Sequence, residues 1–284
     1  MGLSYLPRRQ SDDSKIERGC DYSGRESADT QAREERRTTT RRIAIVVSWF
    51  CFLLALLLLI LVEIGNTQAN EALGGIYLLK LDIGAISARS VPSGVTLHNS
   101  IARSQGLYDF YQAGLWNYCE GYKATGITYC SKPNISFWFN PLQVLPDELV
   151  KGVSLGLPGL DLNNTLLDIL RVLYRVMVDL FLSGTVLNAL LLVSSPIVLY
   201  SRWWNILVMI LCLLTTLVVI AAAGLSTAIS YLFQTIMRTQ TAIGVSASVG
   251  TWMLGLQWTA AVLTSIACII HFWASWGYRP RREV

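Results

Sequence analysis

Four long apolar runs constrain the fold of this chain more than any other feature. They lie at about 43–62, 176–200, 204–224 and 251–274, and each is near the roughly 20 residues that an α-helix needs to cross a bilayer. Only 15% of the 284 residues are charged, against about 25% in ordinary soluble domains. The composition therefore argues against a soluble enzyme or a nucleic-acid-binding domain, and we predict a polytopic membrane protein.

The basic residues cluster beside the first and last apolar runs. Five Arg and two Glu lie between Arg33 and Arg42, and Arg279, Arg281 and Arg282 follow the last run. Because Lys and Arg are enriched in cytosolic loops, this pattern predicts that both termini are cytosolic. An extracellular domain at 63–175 and a second extracellular segment at 225–250 follow from that topology, with 275–284 as the cytosolic C-terminus.

The tail at residues 1–42 is polar and holds few apolar side chains. Such a segment cannot bury enough surface to offset its ordering entropy, so we predict that it is disordered. Its basic part, which includes Arg36, Arg37, Arg41 and Arg42, is interpreted as a topology signal. A second interpretation adds attraction to anionic inner-leaflet lipids, which phosphorylation of the neighbouring threonines would offset.

The six cysteines divide by compartment. Cys20 lies in the tail, whereas Cys51, Cys212 and Cys268 lie within apolar runs, where thiols behave as small hydrophobes. Cys119 and Cys130 alone fall in the large outer loop, with ten residues between them. Since that side of the membrane is oxidising, we predict a disulfide between them.

Two N-x-S/T sequons begin at Asn134 and Asn163, both in the large outer loop. They predict two glycosylation sites, and they favour the same orientation as the basic residues because sequons are used on the outer side. Next to the second sequon, Leu166, Leu170 and Tyr174 recur at helical spacing. We expect a helix that begins here and runs without a break into the second span.

A short motif identifies a resemblance. Gly114, Leu115 and Trp116 precede Cys119 and Cys130 in a G-L-W-x-x-C…C pattern, and Tyr77 to Asp82 forms an early strand-like segment. With four spans, this pattern resembles the fungal Sur-seven/PalI family of four-span plasma-membrane proteins, in the claudin-like superfamily. The resemblance implies a membrane all-α four-helix bundle with a small disulfide-tied extracellular β-sheet. Strands are predicted at 76–83 and 135–140.

Groups that could perform chemistry are scarce. The sequence has two His, His98 and His271, and no HExxH, CxxC or Walker pattern. One G-x-S-x-G string at 152–156 is followed by Pro158 and Gly159 rather than by the helix that a nucleophile elbow requires. We therefore predict no enzymatic activity, no cofactor and no metal site.

The resemblance implies a non-enzymatic organiser of eisosome-associated plasma-membrane compartments, linked to cortical actin, endocytosis and cell-wall integrity. Expected partners are the bilayer, anionic inner-leaflet lipids and cortical scaffold proteins, but not nucleic acid. Small residues in the third and fourth spans allow helix packing within the bundle or lateral self-association. The alternative function is an auxiliary subunit of an ion channel or transporter, because some claudin-like proteins modulate cation entry.

Overall fold

A computed structural model describes residues 10–69, 71–82, 108–135, 137–139, 164–199, 202–239 and 246–276. Four long helices form a bundle in which α1 contacts α3 and α5, and α4 contacts the same two helices. Their bounds are Gln10–Ile64 for α1, Asn164–Ser194 for α3, Arg202–Thr239 for α4 and Thr251–Trp276 for α5, and α2 is a short turn at Glu71–Gly74. A 3₁₀ turn at Ser195–Leu199 follows α3.

Each long helix contains a segment that is long and apolar enough to cross a membrane. These segments are Thr30–Ile64, Asp168–Val198, Trp204–Ile236 and Thr251–Ala274. Large apolar side chains such as Leu57, Ile210 and Leu217 are at least half exposed on their outer faces. Because lipid tails are as apolar as these side chains, such faces are stable in a bilayer. The prediction of four helices that are long and apolar enough to cross a membrane is confirmed.

A five-stranded antiparallel sheet lies at one end of the bundle, in the order β4-β3-β2-β1-β5. The strands are Leu79–Asp82, Phe110–Ala113, Tyr118–Tyr122, Gly126–Cys130 and Ser246–Val249, numbered β1 to β5. The last strand comes from the segment between α4 and α5 and pairs with β1 at Leu79↔Val249. Both predicted outer segments therefore contribute to one sheet.

The two faces of the sheet have different environments because strand side chains alternate. Leu79, Leu81 and Ala113 point toward the bundle and share a buried cluster with Met177 and Phe181 of α3. The intervening residues, including Lys80 and Gln112, occupy the opposite face. This apolar contact fixes the sheet on the ends of the helices.

The helices extend beyond the predicted span boundaries. The sequence predicts a disordered tail to residue 42, but α1 begins at Gln10. Residues 10–42 contain no proline, and the apolar part of α1 supplies a formed helix that these residues extend without a new nucleation step. A further difference is at 224, because α4 continues to Thr239. The start of α3 at Asn164 instead agrees with the predicted helix that runs without a break into the second span.

The strand prediction at 135–140 was wrong for the described residues 135 and 137–139, which form no strand. The Asn134 amide donates to Trp116 O at 2.9 Å, and the Phe137 amide donates to Asn134 O at 3.0 Å, so the chain turns here. The aromatic side chains instead fill the core, where Phe139 is 2% exposed. The strand prediction at 76–83 is confirmed at Leu79–Asp82.

Candidate functional site

The G-L-W motif forms a tight turn between β2 and β3. The Gly114 amide donates to the Asn117 carbonyl at 2.8 Å, which closes the turn, and Leu115 is completely buried. A Cβ atom on Gly114 would lie 2.9 Å from Asn66 Cβ and 3.0 Å from Asn117 Oδ1. Glycine is therefore required by the close approach of the chain that follows α1.

The predicted disulfide between Cys119 and Cys130 is present, and it joins directly opposed positions of β3 and β4. The Sγ atom of Cys119 lies 3.0 Å from the carbonyl oxygen of Asn66. Beside the bridge, Asn117 Nδ2 donates to the Ser131 carbonyl at 3.2 Å. The disulfide thus ties β4 to β3 beside the turn that carries the motif.

Asn66 joins the end of α1 to the sheet, and it was not among the predicted site residues. Its φ of 61° is left-handed, a conformation in which asparagine is several-fold enriched. Its amide donates to Leu73 O at 3.0 Å, and its Nδ2 donates to Gln112 O at 3.2 Å. The Gly65-Asn66 pair directly after the apolar run is the sequence signal that marks this turn.

Tyr174 joins α3 to the same turn. Its buried hydroxyl lies 2.5 Å from Gly114 O and 3.2 Å from Leu115 O, and it donates to this pair of carbonyls. The Phe137 ring packs edge-on against the Tyr174 ring, with centroids 6.1 Å apart. The helical spacing predicted that Tyr174 lies on a helix, but it did not predict this long-range hydrogen bond.

We call this group the junction site and define it as Asn66, Gly114, Leu115, Cys119, Cys130 and Tyr174. The geometry joins the ends of two spans to the sheet through buried hydrogen bonds and a covalent bridge. Trp116 is half-buried against the same core. Within the described residues, no group of three or more His, Cys, Asp or Glu side chains could hold a metal ion.

Of the two predicted glycosylation sites, Asn134 lies within the described residues and Asn163 does not. Asn134 is exposed, at a turn where its own carbonyl accepts the Phe137 amide. An acceptor at an exposed turn is accessible from solvent, so glycosylation of Asn134 stays a prediction. Asn163 lies outside the described residues, as do His98 and the G-x-S-x-G string.

The predicted lipid-facing arginines do not form one uniform group. Arg36, Arg37 and Arg42 are exposed on the helical α1. Arg41 is partly buried, and its Nη2 donates to the Val198 carbonyl at 3.2 Å, at the end of the 3₁₀ turn. The arrangement leaves three cations free to face a membrane surface, whereas Arg41 is tied to the bundle.

Polar contacts inside the bundle were not predicted. Asn188 Nδ2 donates to Thr264 Oγ1 at 3.2 Å, and Ser195 Oγ lies 2.8 Å from His271 Nε2. Gln257, Thr264 and His271 recur every seven residues along α5, which is the periodicity that places them on one buried face. This spacing was the available sequence signal, and the two hydrogen bonds join α5 to α3 and to the 3₁₀ turn that follows it.

The model of the SUR7/PalI family matches residues 44–270. The chain belongs to the SUR7/PalI family. It is also similar to the SUR7 family protein pun1 of Schizosaccharomyces pombe (strain 972 / ATCC 24843), with 29% identity over 188 residues. That similarity covers 61% of this chain and 63% of the relative, so the chain matches less than two thirds of the relative's length.

The family match covers every residue of the junction site, but it begins after the basic segment at 33–42. Because the match extends across all four spans, the resemblance to the SUR7/PalI family that was drawn from the G-L-W-x-x-C…C pattern is confirmed. The arginines that we interpreted as lipid-facing are outside the part of the chain that places it in the SUR7/PalI family.

Proposed function

We propose that this protein is a non-enzymatic organiser of plasma-membrane compartments of the eisosome type. The observation that carries the proposal is the SUR7/PalI family match across residues 44–270. The links to cortical actin, endocytosis and cell-wall integrity are those that the family resemblance implies. In this proposal the protein acts as a scaffold, since the junction site offers structural contacts rather than reacting groups.

The proposed orientation places the sheet outside the cell and both termini in the cytosol. The sheet lies at one end of the bundle, and the basic segment of α1 lies at the other, beside Val198. Trp252 and Trp273, near the two ends of α5, are 75% and 77% exposed. Indole rings favour the two membrane interfaces, which supports a full crossing by α5.

The proposed mechanism is lateral assembly of a rigid unit. The sheet is fixed to the helix ends by the junction site, so outer and inner surfaces move together when copies pack in the membrane. The exposed faces of the helices are apolar, and their contacts with lipid or with further copies determine where the protein resides. The exposed arginines of α1 add attraction to anionic lipid at the inner surface.

The decisive experiment is imaging of a fluorescently tagged full-length chain in living cells, combined with purification of its partners. We expect static cortical patches and co-purification of cortical scaffold proteins. A diffuse membrane signal would contradict the proposal. Co-purification with a channel or transporter pore subunit, without scaffold proteins, would favour the auxiliary-subunit alternative.

A further inference from the structure

A pocket of about 500 Å³ lies on the sheet face that points away from the bundle. Small-molecule sites usually measure about 300–1,000 Å³, so the pocket has room for one small ligand. Its lining includes the polar side chains of Lys80, Asp82, Gln112 and Lys123, together with Phe110 and Ile127. None of these residues belongs to the junction site.

The pocket carries more positive than negative charge. Lys123 Nζ lies 2.8 Å from Asp82 Oδ2, so that carboxylate already has a cationic partner. Lys80 is a second cation, with Nζ 3.9 Å from the centre of the Phe110 ring. Burial lowers the pKa of Lys80, the Asp82 carboxylate raises it to a smaller extent, and the Lys123 ammonium lowers it further. Two ammonium groups and one carboxylate leave one net positive charge, which favours a monoanion.

A buried acceptor accompanies these charges. Gln112 is 4% exposed, and its Oε1 has no hydrogen-bond partner among the described residues. Gln112 is directly opposite Lys80 in the sheet and lines the same pocket. A buried amide oxygen without a donor is destabilising, so a ligand that brings a hydroxyl group to Oε1 would be bound favourably.

We propose that this pocket binds a sugar carboxylate of the uronic acid class, outside the cell. The carboxylate accepts hydrogen bonds from Lys80 and Lys123, and a ring hydroxyl donates to Gln112 Oε1. A cationic or zwitterionic ligand is disfavoured because its ammonium would compete with Lys123 for Asp82. A phosphate monoester carries about −1.5 to −2 charges at pH 7, which exceeds the single net charge of the site.

The test uses the full-length chain in lipid nanodiscs and measures binding by titration calorimetry at low and high salt. Glucuronate is the probe. Glucose is the analogue that lacks the negative charge, and cyclohexanecarboxylate is the analogue that lacks the ring hydroxyls. We expect glucuronate to bind at least tenfold more tightly than either analogue and more weakly at high salt. No binding of glucuronate, equal binding of glucose, or tighter binding of glucose 6-phosphate would overturn the proposal.

Variants then assign the contacts. Lys80→Gln and Lys123→Gln should each weaken glucuronate binding by about tenfold or more, because each removes a charge-assisted hydrogen bond. Gln112→Leu should weaken glucuronate by about three- to tenfold but leave cyclohexanecarboxylate unchanged. Lys132→Gln, at an exposed position outside the pocket, is the matched control. Because Lys123 is 60% exposed, its substitution is tolerated by the fold, and wild-type affinity in that variant would contradict the assignment.

Discussion

The hydroxyl of Tyr174 lies 2.5 Å from the carbonyl oxygen of Gly114, to which it donates. The bond joins α3, which enters the bundle, to the turn of the family motif 60 residues earlier in the chain. Both groups are buried, so water cannot replace the bond if it is lost. The stability change on removal of this one hydroxyl group therefore reports how strongly the sheet is attached to the helices.

Removing this hydroxyl should destabilise the protein. Tyr174→Phe leaves the Gly114 and Leu115 carbonyls without their donor, at a cost of about 1–3 kcal/mol. Thermal unfolding in detergent, followed by near-ultraviolet circular dichroism, measures the change. Tyr231→Phe is the matched control because Tyr231 is 55% exposed on α4. Equal stability of the two variants would show that the Tyr174 bond does not stabilise the fold.

The disulfide predicts the behaviour of thiol reagents on intact cells. A membrane-impermeant reagent should label Cys119 and Cys130 only after reduction, since both sulfurs are in the bridge. Cys119→Ser should reduce stability by about 2–5 kcal/mol and lower the amount at the cell surface. Cys51→Ala, in the first span, serves as the control and should reach the surface normally. Labelling without reduction is the result that contradicts the bridge.

The proposed orientation predicts N-glycans on the sheet side. Glycosidase treatment should increase gel mobility, and Asn134→Gln together with Asn163→Gln should remove that shift. Asn134→Gln alone should remove part of it, because this acceptor is exposed at a turn. The matched control is Asn140→Gln, which belongs to neither sequon. Cleavage of the N-terminal tail by protease added outside intact cells would contradict the proposed orientation.

Tyr111 makes stability depend on pH in the alkaline range. Burial raises the pKa of Tyr111 from its ordinary value of 10 to about 12. The folded state therefore keeps a proton that the unfolded state releases, and stability is lost as pH rises from 10 toward 12. Tyr111→Phe should retain about 1 kcal/mol more of its neutral-pH stability than the wild type at pH 11. Parallel pH profiles of wild type and variant would contradict this.

Negative charges added to the basic segment test whether its positive charge contributes to localisation. Thr38→Glu, Thr39→Glu and Thr40→Glu together add three negative charges near the exposed arginines, within a Debye length of about 8 Å. We expect the variant to keep its orientation and its cortical patches, because the family match begins at residue 44. The Thr-to-Gln triple variant controls for loss of the hydroxyls. Dispersal of the Glu variant alone would assign an organising role to the tail's charge.

Local patterns in the sequence predicted the parts of the fold that depend on local chemistry. Four apolar runs predicted four spans, and two cysteines in one outer loop predicted their bridge. The helical spacing through Tyr174 likewise predicted that α3 extends beyond the apolar run. In each case the residues that decide the structure are close together in the chain.

The remaining features depend on contacts between distant segments. The pairing of Tyr174 with Gly114 and of Asn188 with Thr264 requires the folded bundle, so neither residue alone predicts its partner. The segment that becomes β5 reads Ser246-Ala-Ser-Val249 and is poor in the β-branched and aromatic residues that mark strands. Its strand conformation follows from the free edge of β1.

The pairing of β5 with β1 has a consequence for biosynthesis. The first strand is translated long before residues 246–249, and three spans must enter the membrane before β5 can reach its edge. The sheet is therefore completed only after residues 246–249 have left the ribosome. A nascent chain stopped after the third span would display the open edge of β1, which is a template for pairing with another chain.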